Sequence, residues 1–79
     1  MITVKVMHPD AGYDGDKERI KQLEPNIHYE VACIDMGQSH TDVFLVGMKN
    51  CFNSVNFEFY EDKKLINIFS DKRFNPYLD

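Results

Sequence analysis

The chain has 79 residues, 43% of them apolar and 28% charged, with a formal net charge of −4 and no tryptophan. That composition is globular rather than disordered, and it provides for one domain that buries about 60–65% of the surface its unfolded form exposes. The longest apolar runs, such as Val43-Phe44-Leu45-Val46, are too short for a transmembrane helix, and Met1-Ile2-Thr3-Val4-Lys5-Val6 has neither the basic nor the apolar region of a signal peptide, so a cytoplasmic protein is expected.

Ile2, Val4 and Val6 alternate with Thr3, Lys5 and Met7, the period of a half-buried strand, which Pro9 ends. Turn residues fill His8 to Gly15, and Asp16 is placed to cap a two-turn helix over Lys17 to Leu23, with Ile20 and Leu23 on its apolar edge. Pro25-Asn26 closes that helix. A second strand is expected over Ile27 to Met36, with Tyr29, Val31 and Cys33 on one face and Glu30, Ala32 and Ile34 on the other. Gly37 to His40 makes a hairpin turn into a third strand, Thr41 to Met48. Short strands are expected near Cys51-Phe52, over Ser54 to Tyr60 and over Leu65 to Phe69, with Glu61 to Lys64 as a charged turn. Phe74, Pro76, Tyr77 and Leu78 give residues 63–79 the character of a packed C-terminal extension. Five or six short strands with one early helix predict a mainly β domain spanning 1–79, a small antiparallel barrel of SH3-like topology, with an OB-type barrel second.

Charge is unevenly distributed. Residues 22–62 carry seven acids, Glu24, Glu30, Asp35, Asp42, Glu58, Glu61 and Asp62, against Lys49 alone. Such a segment repels a phosphate backbone, which disfavours direct nucleic-acid binding. It points instead to an acidic face, drawn from Glu30, Asp35, Asp42, Glu58, Glu61 and Asp62, that meets a basic protein surface.

His8, Asp10, Asp14, Asp16 and Glu18 crowd a loop broken by Pro9, Gly12 and Gly15. Carboxylates converging from a flexible loop suit a divalent cation, and His8 with Asp10, Asp14 and Asp16 favours zinc. The same acids also serve as turn formers, a helix cap and a favourable charge at the helix N-terminus. Cys33 and Cys51 are too few for a secreted disulfide framework and are expected reduced, with a disulfide or a metal shared with His28 or His40 as the alternative. No nucleophile elbow, Walker lysine loop, zincin motif or dinucleotide fingerprint occurs, and the acidic surroundings of the cysteines oppose thiolate formation. A non-enzymatic role is therefore expected. Phe52, Phe57, Phe59, Phe69, Phe74 and Tyr77 read as core, any exposed members being anchors for a protein partner.

The stretches Tyr29-Glu30-Val31, Val43-Phe44-Leu45-Val46-Gly47 and above all Phe52-Asn53-Ser54-Val55-Asn56-Phe57-Glu58 resemble small SH3-like proteins carried by phages and prophages of Gram-positive bacteria. The likeness covers about residues 27–60, with a weaker echo at Asp10-Ala11-Gly12-Tyr13. It implies a small accessory protein acting in the cytoplasm of a bacterial host. Among such proteins are anti-CRISPR inhibitors that bind type II Cas9, and that is the concrete function the resemblance implies. The alternative is a structural or regulatory SH3-like module of a mobile element with no inhibitory role.

Overall fold

Alternating apolar residues do build strands: the computed structural model, which describes residues 1–78, is mainly β with one short helix. β1 (Ile2–Val6), β2 (Tyr29–Met36), β3 (Thr41–Leu45), β4 (Cys51–Asn53), β5 (Phe57–Glu61) and β6 (Lys64–Ile66) form one six-stranded sheet in the order β4-β3-β2-β1-β5-β6. Every neighbouring pair is antiparallel. α1 (Asp14–Ile20) lies in the connection between β1 and β2. No helix among the described residues is long and apolar enough to cross a membrane.

Several element boundaries differ from the sequence expectation, each for a local reason. The helix starts at Asp14, because Tyr13 occupies the cap position and the Asp16 carboxylate reaches back from the first turn to accept the Tyr13 backbone N–H at 2.9 Å. It ends at Ile20, and Leu23 follows in a turn closed by its N–H on the Ile20 carbonyl. The second strand begins only at Tyr29, after the left-handed Asn26 (φ 67°). The third stops at Leu45, where the Met48 N–H returns to the Leu45 carbonyl around Gly47 (φ 81°), a conformation glycine adopts without strain. Ser54–Asn56 is a 3-10 turn rather than strand, capped by Asn53, whose side-chain oxygen accepts the Val55 N–H. Asn67 caps a second 3-10 turn, Ile68–Ser70, in the same way, so β6 is short. The charged hairpin turn between β5 and β6 places Asp62 (φ 50°) and Lys63 (φ 72°) both at positive φ, the geometry that matches strand twist in a two-residue turn.

β2 is two half-strands. Its first residues pair with β1 (Thr3 with Glu30, Val4 with Tyr29), and its remainder pairs with β3 from Val31–Leu45 to Met36–Thr41. Between Val31 and Cys33 the register shifts by a bulge. The extra residue reverses the alternation, so the expected grouping of Tyr29, Val31 and Cys33 on one face does not hold. Tyr29, Val31, Ile34 and Met36 turn to the core, and Glu30, Cys33 and Asp35 turn to solvent.

The core-facing side joins Val4 and Val6 of β1, Val43 and Leu45 of β3, Phe52 of β4, and Phe57 and Phe59 of β5. The sheet coils around them: Phe52 and Phe57 meet edge to face at 6.1 Å although β4 and β5 share no ladder. Ile20 and Leu23 close the core from the helical connection, and Ile68, 1% exposed, closes it from the C-terminal side with Phe74 packed alongside. Each of these fully buried side chains contributes about 1.5–3 kcal/mol. Phe69 and Tyr77, expected in the core, are exposed instead.

Candidate functional site

Sheet register assigns the acidic residues to faces. Glu30 lies opposite Thr3, Glu58 opposite Lys5, and Asp35 opposite Asp42, all on the solvent side of the sheet. The bulge makes this possible. Without it, Glu30 and Asp35, an odd number of residues apart, would point to opposite faces. Asp35 and Asp42 are two like charges directly across a strand pair, an arrangement that costs stability. His40 Nε2 is 3.3 Å from an Asp42 carboxylate oxygen and can donate to it.

The same face carries apolar groups between its acids. Phe44 sits between Cys33 and Cys51 in one cross-strand row, and Tyr60 lies opposite both Thr3 and Leu65. The His28 ring packs edge-on against Tyr60 at 4.8 Å, and the Lys5 ammonium stands 5.7 Å from the Tyr60 ring centre. The acids of this face thus surround one exposed ring, Phe44, and one half-buried ring, Tyr60.

Glu61 and Asp62 do not belong to this patch. Glu61 pairs with Ile2 on the other side of the sheet, where Arg73 donates to both of its carboxylate oxygens at 2.8 Å. Arg73 also donates to Asp71. Its hydrogen bonds hold the Glu61 and Asp71 carboxyls below their usual range and raise the guanidinium still further. Asp62 accepts from the Met1 amino group at 2.9 Å, which holds its carboxyl low as well. These acids are already neutralised by cations of the chain.

The candidate metal loop is differently arranged from its sequence. Asp16 is 6% exposed and accepts three hydrogen bonds, from Tyr13 N–H (2.9 Å), Arg19 Nη2 (2.7 Å) and Asn53 Nδ2 (3.1 Å). Burial opposes its charge most strongly, but the Tyr13, Arg19 and Asn53 bonds together outweigh it and hold the carboxyl below its ordinary range. His8, Asp10 and Asp14 are exposed. Asp10 and Asp14 line a groove beside Lys17 and Lys21, while His8 contributes its backbone carbonyl to the buried Asn56 amide. Among the described residues, no three His, Cys, Asp or Glu side chains gather to hold an ion. Cys33 and Cys51, both free thiols, lie two strands apart, roughly 10 Å between Cα atoms, beyond the reach of a disulfide or a shared ion without backbone movement.

A groove of about 620 Å³ opens where the β2–β3 hairpin, the first 3-10 turn and the C-terminal segment meet. Tyr13, Val55, Phe69 and Tyr77 line it, with His40, Asn53 and Asn75 among its polar groups. The sequence hid this site, because its aromatic residues lie in turns with no period to tell buried from exposed positions.

Compared with models of known protein families, residues 1–79 match the one described as bacteriophage T4 protein Y07B. No curated protein and no solved structure matches the chain.

Proposed function

Since the chain belongs to that phage family, we propose that it is a non-enzymatic binding module whose solvent-facing sheet surface docks on the basic surface of a nucleic-acid-binding host defence protein. Type II Cas9 is the concrete partner, taken from the resemblance to phage accessory proteins, and the action is that of an inhibitor competing for a surface that holds nucleic acid. The observation carrying this reading is the β2 bulge, which collects Glu30, Asp35, Asp42 and Glu58 around Phe44 and Tyr60 on one face. Complementary charge would speed encounter and fix orientation, and the aromatic groups would supply affinity once desolvated.

The test uses purified type II Cas9. Association is followed at low and raised salt, with DNA cleavage as the functional readout. Reversing Glu30, Asp35 and Asp42 to lysine together is expected to slow association at least about tenfold and to relieve inhibition, with the circular dichroism spectrum unchanged. Raised salt slows the parent chain in the same direction. Association indifferent to both would place the contact elsewhere. No binding to Cas9, together with recovery of a virion component from infected cells, would favour a structural module instead.

A further inference from the structure

We propose that the groove beside the β2–β3 hairpin seats an arginine-bearing basic segment of a protein partner. The inference rests on the reading that the partner surface is basic, and it assigns a second, separate contact to that partner. Tyr13, Phe69 and Tyr77, 85%, 49% and 53% exposed, come together with the exposed Val55 along this one groove. Side-chain hydrogen bonds fix the backbone at all three positions. Asn75 brackets two of them, donating from Nδ2 to the Phe69 carbonyl at 2.7 Å and accepting the Tyr77 N–H on Oδ1 at 2.9 Å. Asp16 fixes the opposite wall by accepting from the Tyr13 N–H and from Asn53 Nδ2. A backbone fixed in this way lowers the entropy cost of ordering the rings on a ligand.

Charge selects the occupant. No lysine or arginine lines the groove, and its rim meets the acidic face at Asp42, which is in register with Asn53 and beside His40. A phosphate backbone would find no cation there. A guanidinium would find ring faces to stack on and a carboxylate at the rim, and it is more weakly hydrated than an ammonium, so arginine is favoured over lysine.

The experiment is an amide-resolved NMR titration of the full chain with three probes: a short glycine-arginine peptide, its lysine counterpart and a single-stranded oligonucleotide. The arginine peptide is expected to shift the amides of Tyr13, Phe69, Asn75 and Tyr77 and to bind more tightly than the lysine peptide. Phe69→Leu and Tyr77→Leu, which keep apolar bulk while removing the ring face, should each weaken it about two- to fivefold. Glu30→Lys, beside β1 and away from the hairpin, should leave those shifts in place, whereas Asp42→Lys at the rim should weaken them. Equal responses to arginine and lysine peptides, shifts confined to the sheet face, a response to the oligonucleotide, or none at all would overturn the proposal. A bound peptide with no contact to Cas9 would overturn only the choice of Cas9. A Cas9 contact sensitive to the sheet-face reversals, with no peptide bound, would overturn only the groove.

Discussion

Replacing Asp16 with alanine removes a single acceptor that three parts of the chain share. The helix start loses the Tyr13 N–H bond, the helix loses Arg19, and the β4 end loses Asn53. Hydrogen bonds to a charged group are worth about 1.5–3 kcal/mol each, but bonds within one network do not add. Arg19 is also 42% exposed, so water takes up much of its share. We therefore expect Asp16→Ala to cost about 2–3 kcal/mol, which lowers Tm by roughly 10–20 °C for a domain of this size. Thermal melts followed by circular dichroism at neutral pH read this directly. The pH dependence has a definite sign. The folded carboxyl titrates below its unfolded value of about 3.9, so its stabilisation is complete above that pH and is lost as pH falls through the folded value. The parent should thus lose stability in acid more steeply than Asp16→Ala. An Asp16→Ala melt within about 3 °C of the parent would refute the role of Asp16 as a shared acceptor. Binding of a divalent ion by His8, Asp10, Asp14 and Asp16 makes a different prediction: a chelator lowers the parent Tm, the metal restores it, and Asp16→Ala responds to neither.

Three further outcomes follow from the geometry. Gly12 has φ 87°, and a Cβ there would meet Asp16 Oδ2 at 2.7 Å, so Gly12→Ala should destabilise by about 1–3 kcal/mol in a denaturant titration. Asp35→Asn removes one of two facing like charges, so it should stabilise the fold by about 0.2–1 kcal/mol while slowing association with a basic partner, a split that stability and kinetic measurements on the same variant will show. Arg73→Ala frees Glu61 and Asp71 at the surface, so global Tm should move little, while the Phe74 and Asn75 amides, both bonded to the Asp71 carbonyl, exchange faster with deuterated water.

Strands were legible wherever apolar and polar residues alternate strictly, as in Ile2 to Val6 and Phe57 to Phe59. The bulge was not, because Val31-Ala32-Cys33-Ile34 is apolar throughout and fits either phase of a strand. Reading the faces of β2 therefore failed at the residues that decide the acidic surface. The helix start was displaced for a related reason. An acid in the first turn that reaches back to the preceding N–H looks, in sequence, like an acid at the cap itself. Of the six candidate partner acids, the pairing of Glu61 with Arg73 depends on a contact between distant parts of the chain, which local patterning does not encode. Phe69 and Tyr77 escaped because turns capped by Asn67 and Asn75 impose no periodicity that would reveal exposure.

The position of β1 bears on how the sheet assembles in time. β2 with β3, β3 with β4, and β5 with β6 each join strands that follow one another closely, so these ladders need only short loops to close. β1 is synthesised before all of them yet pairs residue by residue with β5, from Ile2–Glu61 to Val6–Phe57. Its short ladder with β2, Thr3–Glu30 and Val4–Tyr29, can close early, but its longer ladder must wait until β5 has emerged from the ribosome. The hairpin formed by β2, β3 and β4 and the one formed by β5 and β6 can appear independently, and insertion of β1 between them is the slow, non-local event that makes them one sheet.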